Sequence, residues 1–152
     1  MLLTDYLDAQ SIHLDLTGNT KEQVLSELVN MLVARGLIQG ADALLEALLE
    51  REGLGSTGIG HGVAIPHGRT AEVSQPALVF GRSAQAVEFD SLDGQPARIF
   101  FLLVAPENGE TEHLHLLAKI AKLMKNAATR ERLLTLGTAE EVVALFQEHD
   151  AG

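Results

Sequence analysis

Residues 98–105, RIFFLLVA, are apolar at all but one position, and this run narrows the fold more than any other stretch. A strand this apolar has no polar side to turn to water, so it belongs at the centre of a sheet covered on both faces. The rest of the chain offers the covering layers. Thr20, with Gln23 three residues on, forms a capping box ahead of Val24, Leu28, Met31 and Leu32 at helical spacing, and Gly36 provides a stop. A second helix is predicted over 41–51, with Leu44, Leu45, Ala47 and Leu48 inward and Gly53 ending it. Past a turn at 106–109, Thr111 caps a third helix to about 125 whose apolar stripe is Leu114, Leu117, Ala121 and Met124. Asn126 opens a short fourth helix that Gly137 ends. Thr138 and Glu141 box a fifth through Val142, Val143, Leu145 and Phe146. Further strand candidates lie at 63–65, 77–81 and 87–89, and residues 1–19 read as mixed strand-like and turn-like pieces. Two helices, several strands and then three helices is not a strict βαβ alternation. The expected fold is α/β, with a mixed central β-sheet sandwiched between helices, in a single domain over residues 1–152.

The chain has no cysteine, which excludes disulfides and thiolate chemistry. Its net charge is −10, with nine acidic against three basic residues in the first 54. No broad basic patch is available to neutralise phosphates, so nucleic-acid binding is disfavoured. The N-terminus has neither the basic start nor the apolar core of a secretory signal, and no run approaches the ~20 apolar residues of a membrane span. A cytoplasmic protein without membrane insertion is expected.

The chemistry concentrates in residues 51–69, REGLGSTGIGHGVAIPHGR, which hold six glycines and two histidines. Val63-Ala64-Ile65 reads as a short buried strand. Pro66 cannot continue an interior ladder, so His67 is expected where strand gives way to loop. A neutral imidazole is nucleophilic near pH 7 and can hold a phosphoryl group as a labile phosphoramidate. The backbone of 55–62, the hydroxyls of Ser56 and Thr57, and the Arg51 cation at the end of the second helix would supply donors to the phosphate oxygens. His113, at a helix start, is a second candidate. The residues alone leave blander readings open: His67 as a hydrogen-bonded loop histidine, Arg51 as a helix-dipole partner, Ser56 and Thr57 as turn residues. The glycines do not follow GxxxxGK[ST], and no helical pattern follows GSTGIGHG, so a nucleotide loop is disfavoured. Zinc is disfavoured too. There is no HExxH, and His113 and His115 would point about 200° apart on a helix. No metal and no cofactor is expected. His61 and His115 have no assigned role.

LLEREGLGSTGIGHGVAIPHG followed by TEHLHLLAKIAKLM resembles enzyme IIA of the bacterial phosphotransferase system, fructose/mannitol class, nearest to its nitrogen-regulatory branch. The resemblance runs from the first helix to the last. It implies the mannitol/fructose-type enzyme IIA fold. It also implies a phosphorylated histidine at His67, active-site partners at His113 and Arg51, and hydroxyls beside the phosphate at Ser56 and Thr57. The implied donor is a histidine-containing phosphocarrier protein. The implied recipients are regulatory target proteins, bound according to phosphorylation state, or, for a sugar-specific member, an enzyme IIB. Such a protein is a phosphotransfer component rather than a stand-alone turnover enzyme. An interaction module that kept the fold without phosphorylation is the remaining alternative. Two proteins packing around the histidines would need an apolar rim, expected near Val63, Ile65 and the start of the third helix.

Overall fold

The computed structural model describes residues 2–108 and 110–151. Gly109, the last residue of the predicted 106–109 turn, lies outside them.

The apolar run is indeed the central strand, β6 (Ala97–Pro106). On one flank, β5 (Ala77–Val87) pairs with it antiparallel. On the other, β3 (Val63–Ala64) and β4 (His67–Thr70) pair with it one after the other, both parallel. β1 (Ile12–Leu16) extends the sheet beyond β5 in parallel, and β2 (Gly58–Gly60) extends it beyond β3 antiparallel. The result is a mixed six-stranded sheet.

Alternation along β6 divides the core in two. Phe100, Leu102 and Val104 pack on one face under α1 (Lys21–Ala34) and α2 (Asp42–Leu54). Ile99, Phe101 and Leu103 pack on the other under α3 (Glu110–Leu123), α4 (Ala127–Thr135) and α5 (Ala139–Ala151). Both faces are covered, as the composition of the strand requires. The second face has an aromatic centre: the Phe80 ring lies 5.2 Å from Phe101 and 5.9 Å from Phe146, both edge-on. Each fully buried phenylalanine contributes roughly 1.5–3 kcal/mol of transfer free energy.

Three of the four predicted caps form. The Thr20 hydroxyl accepts from the Gln23 amide at 3.2 Å, the Asn126 side chain from Thr129 at 3.1 Å, and the Thr138 hydroxyl from Glu141 at 3.2 Å. α1 closes with the Leu37 amide on the Leu32 carbonyl at 3.0 Å, over Gly36. At the other end of the chain, the Asp150 carboxylate accepts from the Leu3 amide at 2.9 Å and the Thr4 amide at 3.0 Å, and lies 3.2 Å from Lys119 Nζ.

Three expectations are corrected. α2 runs through Gly53 to Leu54, and Gly55 is its C-cap. The last turn is tied from outside, by Arg51 and Glu52 binding residues beyond the helix. Those bonds override the roughly 1 kcal/mol helix cost of a glycine. α3 begins at Glu110, so Thr111 lies inside it rather than capping it. Its fully inward residues are His113, Leu116, Ile120 and Leu123; of the predicted stripe, Leu117 and Ala121 pack partly buried against the same core and Met124 is buried just past the helix end, while Leu114 is 61% exposed. Among the described residues, no helix is long and apolar enough to cross a membrane.

Candidate active site

Glycine spacing in 58–64 builds a hairpin. β2 and β3 are joined by His61 and Gly62, with φ of 58° and 78°. Two successive positive φ values make the turn whose twist suits a two-residue hairpin. His61 is thus a turn residue, and its amide donates to Asp93 Oδ2 at 3.0 Å.

After β3 the ladder breaks for two residues. Pro66 has no amide to give, but its carbonyl accepts from Leu103 at 3.0 Å, and pairing resumes with His67 opposite Leu103. His67 therefore opens a strand, β4, rather than a loop as expected. The break redirects Ile65: its amide donates to the Thr57 carbonyl at 3.0 Å, and its carbonyl lies 2.8 Å from His67 Nδ1. A carbonyl can only accept, so Nδ1 carries the proton and the neutral ring keeps its lone pair on Nε2. The His67 pKa is lowered from its ordinary value, chiefly by burial and further by the Arg51 cation. The Ile65 carbonyl and Glu52 pull the other way without overcoming them. The neutral, nucleophilic form is the one favoured.

Three elements converge on this imidazole. α2 delivers Arg51 in its last turn, where the guanidinium donates to the Gly55 carbonyl at 2.8 Å. α3 delivers His113 from the opposite layer, 95% buried, its ring 5.3 Å from that of His67 and inclined at 64°. The 55–58 segment delivers Ser56 and Thr57. An open cavity of about 210 Å³ is lined by Arg51, Ser56, Thr57, Ile65, His67 and Leu117, among others. The sequence-predicted set is thus brought together, with His113 reaching the cluster through the His67 ring. His115, two residues on, is exposed and takes no part.

The two hydroxyls are already engaged. Ser56 Oγ donates to the Phe89 carbonyl and accepts from the Gly58 amide at 2.9 Å. Thr57 Oγ1 donates to Glu52 Oε2, and its amide donates to Glu52 Oε1 at 3.2 Å. Glu52 went unnoticed in the sequence. Its side chain is 4% exposed, and Lys21 Nζ from α1 lies 3.0 Å away. The signal was present: Glu52 continues the inward stripe Leu44, Leu48 at a four-residue step, so a buried carboxylate was implied.

The apolar rim also differs from expectation. Val63 is fully buried and Ile65 only 4% exposed, whereas Leu54 is 87%, Ile59 38% and Leu114 61% exposed. Val63 is core because its strand is internal to the sheet, and Ile65, in the break after that strand, is buried in the same cluster beneath the α3 layer. The apolar rim comes from the end of α2, the outer strand β2 and the first turns of α3.

Residues 5–149 match the family described as "Phosphoenolpyruvate-dependent sugar phosphotransferase system, EIIA 2". The chain belongs to this family. As an EIIA it is a phosphocarrier of the phosphotransferase system. It is 38% identical over 150 residues to a Bacillus subtilis "PTS system fructose-specific EIIABC component", covering 99% of this chain but only 24% of that protein. Nitrogen regulatory protein IIA-Ntr of Neisseria meningitidis superposes with a TM-score of 0.88 at 40% identity, over 93% of this EIIA chain and 97% of the other. A chain from the Escherichia coli complex of enzyme IIAMtl and phosphorylated enzyme IIBMtl matches with a TM-score of 0.77 at 26% identity, over 93% and 97%.

Proposed function

We propose that His67 is the phosphoryl acceptor, that a phosphorylated histidine phosphocarrier protein is the donor, and that the protein acts in the nitrogen-related branch, controlling target proteins by its phosphorylation state. One observation carries the reading: Nδ1 of His67 is tied to the Ile65 carbonyl, so Nε2 is left as nucleophile beside Arg51 and His113. In the step, the Nε2 lone pair attacks phosphorus. The bond from phosphorus to the donor imidazole breaks, and its electron pair returns to that ring. The positive charge gathering on His67 is met by the Ile65 carbonyl through Nδ1–H. The charge on the moving phosphoryl group is met by Arg51 and His113, while Ser56 and Thr57, whose hydroxyl hydrogens are already donated to Phe89 and Glu52, shape the cavity wall rather than donate to the phosphate as the sequence suggested.

The test is intact-mass spectrometry after incubation with phosphoenolpyruvate, enzyme I and the phosphocarrier. Wild type gains one acid-labile phosphoryl group and His67→Ala gains none; label on the variant removes His67 as acceptor. His113→Ala is expected to accept phosphate more slowly without losing it. The nitrogen branch is favoured by the 40% identity and 0.88 TM-score with the IIA-Ntr structure. The fructose-specific relative supports a second reading, in which the phosphoryl group passes to an enzyme IIB. Adding enzyme IIB to the phosphorylated protein separates them: rapid loss of label from His67 supports sugar transfer, and retention supports regulation.

A further inference from the structure

The buried carboxylate behind the cavity has a role that the acceptor, the arginine and the second histidine leave open. Glu52 sits in the last turn of α2, where the helix presents carbonyls and the negative end of its dipole, so a carboxylate there is disfavoured. It is almost wholly removed from water, at a further cost that only close partners offset. A leucine or methionine would continue the Leu44–Leu48 stripe without either cost. What the carboxylate adds is a set of hydrogen bonds. It takes both hydrogens that Thr57 can donate, amide and hydroxyl, while Lys21 Nζ at 3.0 Å supplies the countercharge. Lys21 itself is fixed by Asp90 at 3.4 Å and by the Phe89 ring, whose centroid is 4.8 Å away. The neighbouring side chain, Arg51, holds the Gly55 carbonyl at 2.8 Å. Two successive residues of α2 therefore pin two points of one short segment, and Ser56, between those points, lines the cavity with Thr57.

We propose that Glu52 is a positioning residue for phosphoryl transfer: it holds Thr57, and with it the 55–58 segment and the Arg51 anchor, in the arrangement the cavity needs when His67 accepts its phosphoryl group. The inference rests on the phosphocarrier reading. It requires that loss of the Glu52 bonds act on the chemical step rather than on donor docking, because the carboxylate is buried beneath the surface a donor would meet.

The experiment is single-turnover transfer from purified phosphorylated carrier protein, at varied carrier concentration, with thermal unfolding measured alongside. Glu52→Gln is expected to lower the maximal rate about ten- to a hundredfold, the scale of a misplaced catalytic group, with the half-saturating carrier concentration within about twofold. Thr57→Val is expected to lower the rate as well. The double variant is expected to be no slower than the slower single, because both break one contact. If Glu52→Gln does not fold, Glu52→Met takes its place with the same expected loss, since methionine fills the stripe but cannot bind Thr57. An unchanged maximal rate in the folded Glu52 variant, or additive effects in the double, overturns the proposal. So does a loss confined to the half-saturating concentration. Wild type that takes up no phosphoryl group overturns the phosphocarrier reading and this inference with it. Wild type that is labelled beside an equally fast Glu52 variant overturns the inference alone.

Discussion

Along its β5 flank, β6 pairs at six consecutive positions, from Ala77 opposite Val104 to Arg82 opposite Ile99. Along the other flank the ladder is divided between two short strands, with Ile65 and Pro66 between them. The continuous flank spends its backbone groups on the sheet and its side chains on the two cores. The divided flank takes Ile65 out of the ladder and leaves Pro66 only its carbonyl bond to Leu103, and it gains a carbonyl that orients an imidazole, an amide that holds the hairpin, and a histidine at a strand start between two helical layers. One flank of the strand serves packing, and the other holds the residues to which the chemistry is proposed to belong.

That contrast can be broken in four ways. The largest effect is expected on the packed side: Phe101→Ala empties the aromatic cluster and should destabilise by about 3–5 kcal/mol, read as a fall in the urea midpoint, while the protein that remains folded still accepts phosphate. On the divided side, Gly68→Ala places a Cβ 3.1 Å from Leu48 Cδ2 and should cost about 1–2 kcal/mol. Because the strain presses β4 against α2, phosphoryl acceptance should fall as well, which equilibrium unfolding and single-turnover rates together will reveal. Pro66→Ala restores an amide at the break and loosens the unfolded chain; a stability loss of about 0.5–1 kcal/mol is expected, with the His67 Nδ1 proton becoming less protected in NMR exchange. The smallest effect is a pH dependence. The His67 pKa lies below its ordinary 6.5 in the folded protein, so just below pH 6.5 the unfolded chain binds more protons. The stabilisation from keeping this histidine neutral is full above that value and is lost as the pH falls through the folded pKa. His67→Gln should flatten the urea midpoint against pH in that window, and wild-type acceptance should slow only once the pH drops into it.

The elements that positioned the site were legible wherever a local pattern decides structure. RIFFLLVA implied a doubly covered strand, and Thr20, Asn126 and Thr138 announced their helices because a side-chain cap acts within three residues. The misses were decided at longer range. The period of α3 was readable but the centre of its stripe was not: Leu117, Ala121 and Met124 do face the core, but Leu114 and Leu116 are equally apolar, and only the sheet beneath selects Leu116. α2 outran Gly53 because Arg51 and Glu52 bind residues past its end. Pro66 signalled the break, but nothing local showed that Leu103 would take up pairing again at His67. Arg51, Ser56, Thr57, His67 and His113 were all picked out from the sequence, the first four by their place in the glycine-rich stretch. Glu52 carries no motif of its own, and its only local signal is its place four residues after Leu48 on the inward stripe.

The Asp150 carboxylate, holding the Leu3 and Thr4 amides, has a consequence for how this fold opens. Leu3, Thr4 and Asp150 share one hydrogen-bonded contact, so loosening the last turn of α5 also frees the segment at 3–4, and the two open as one unit.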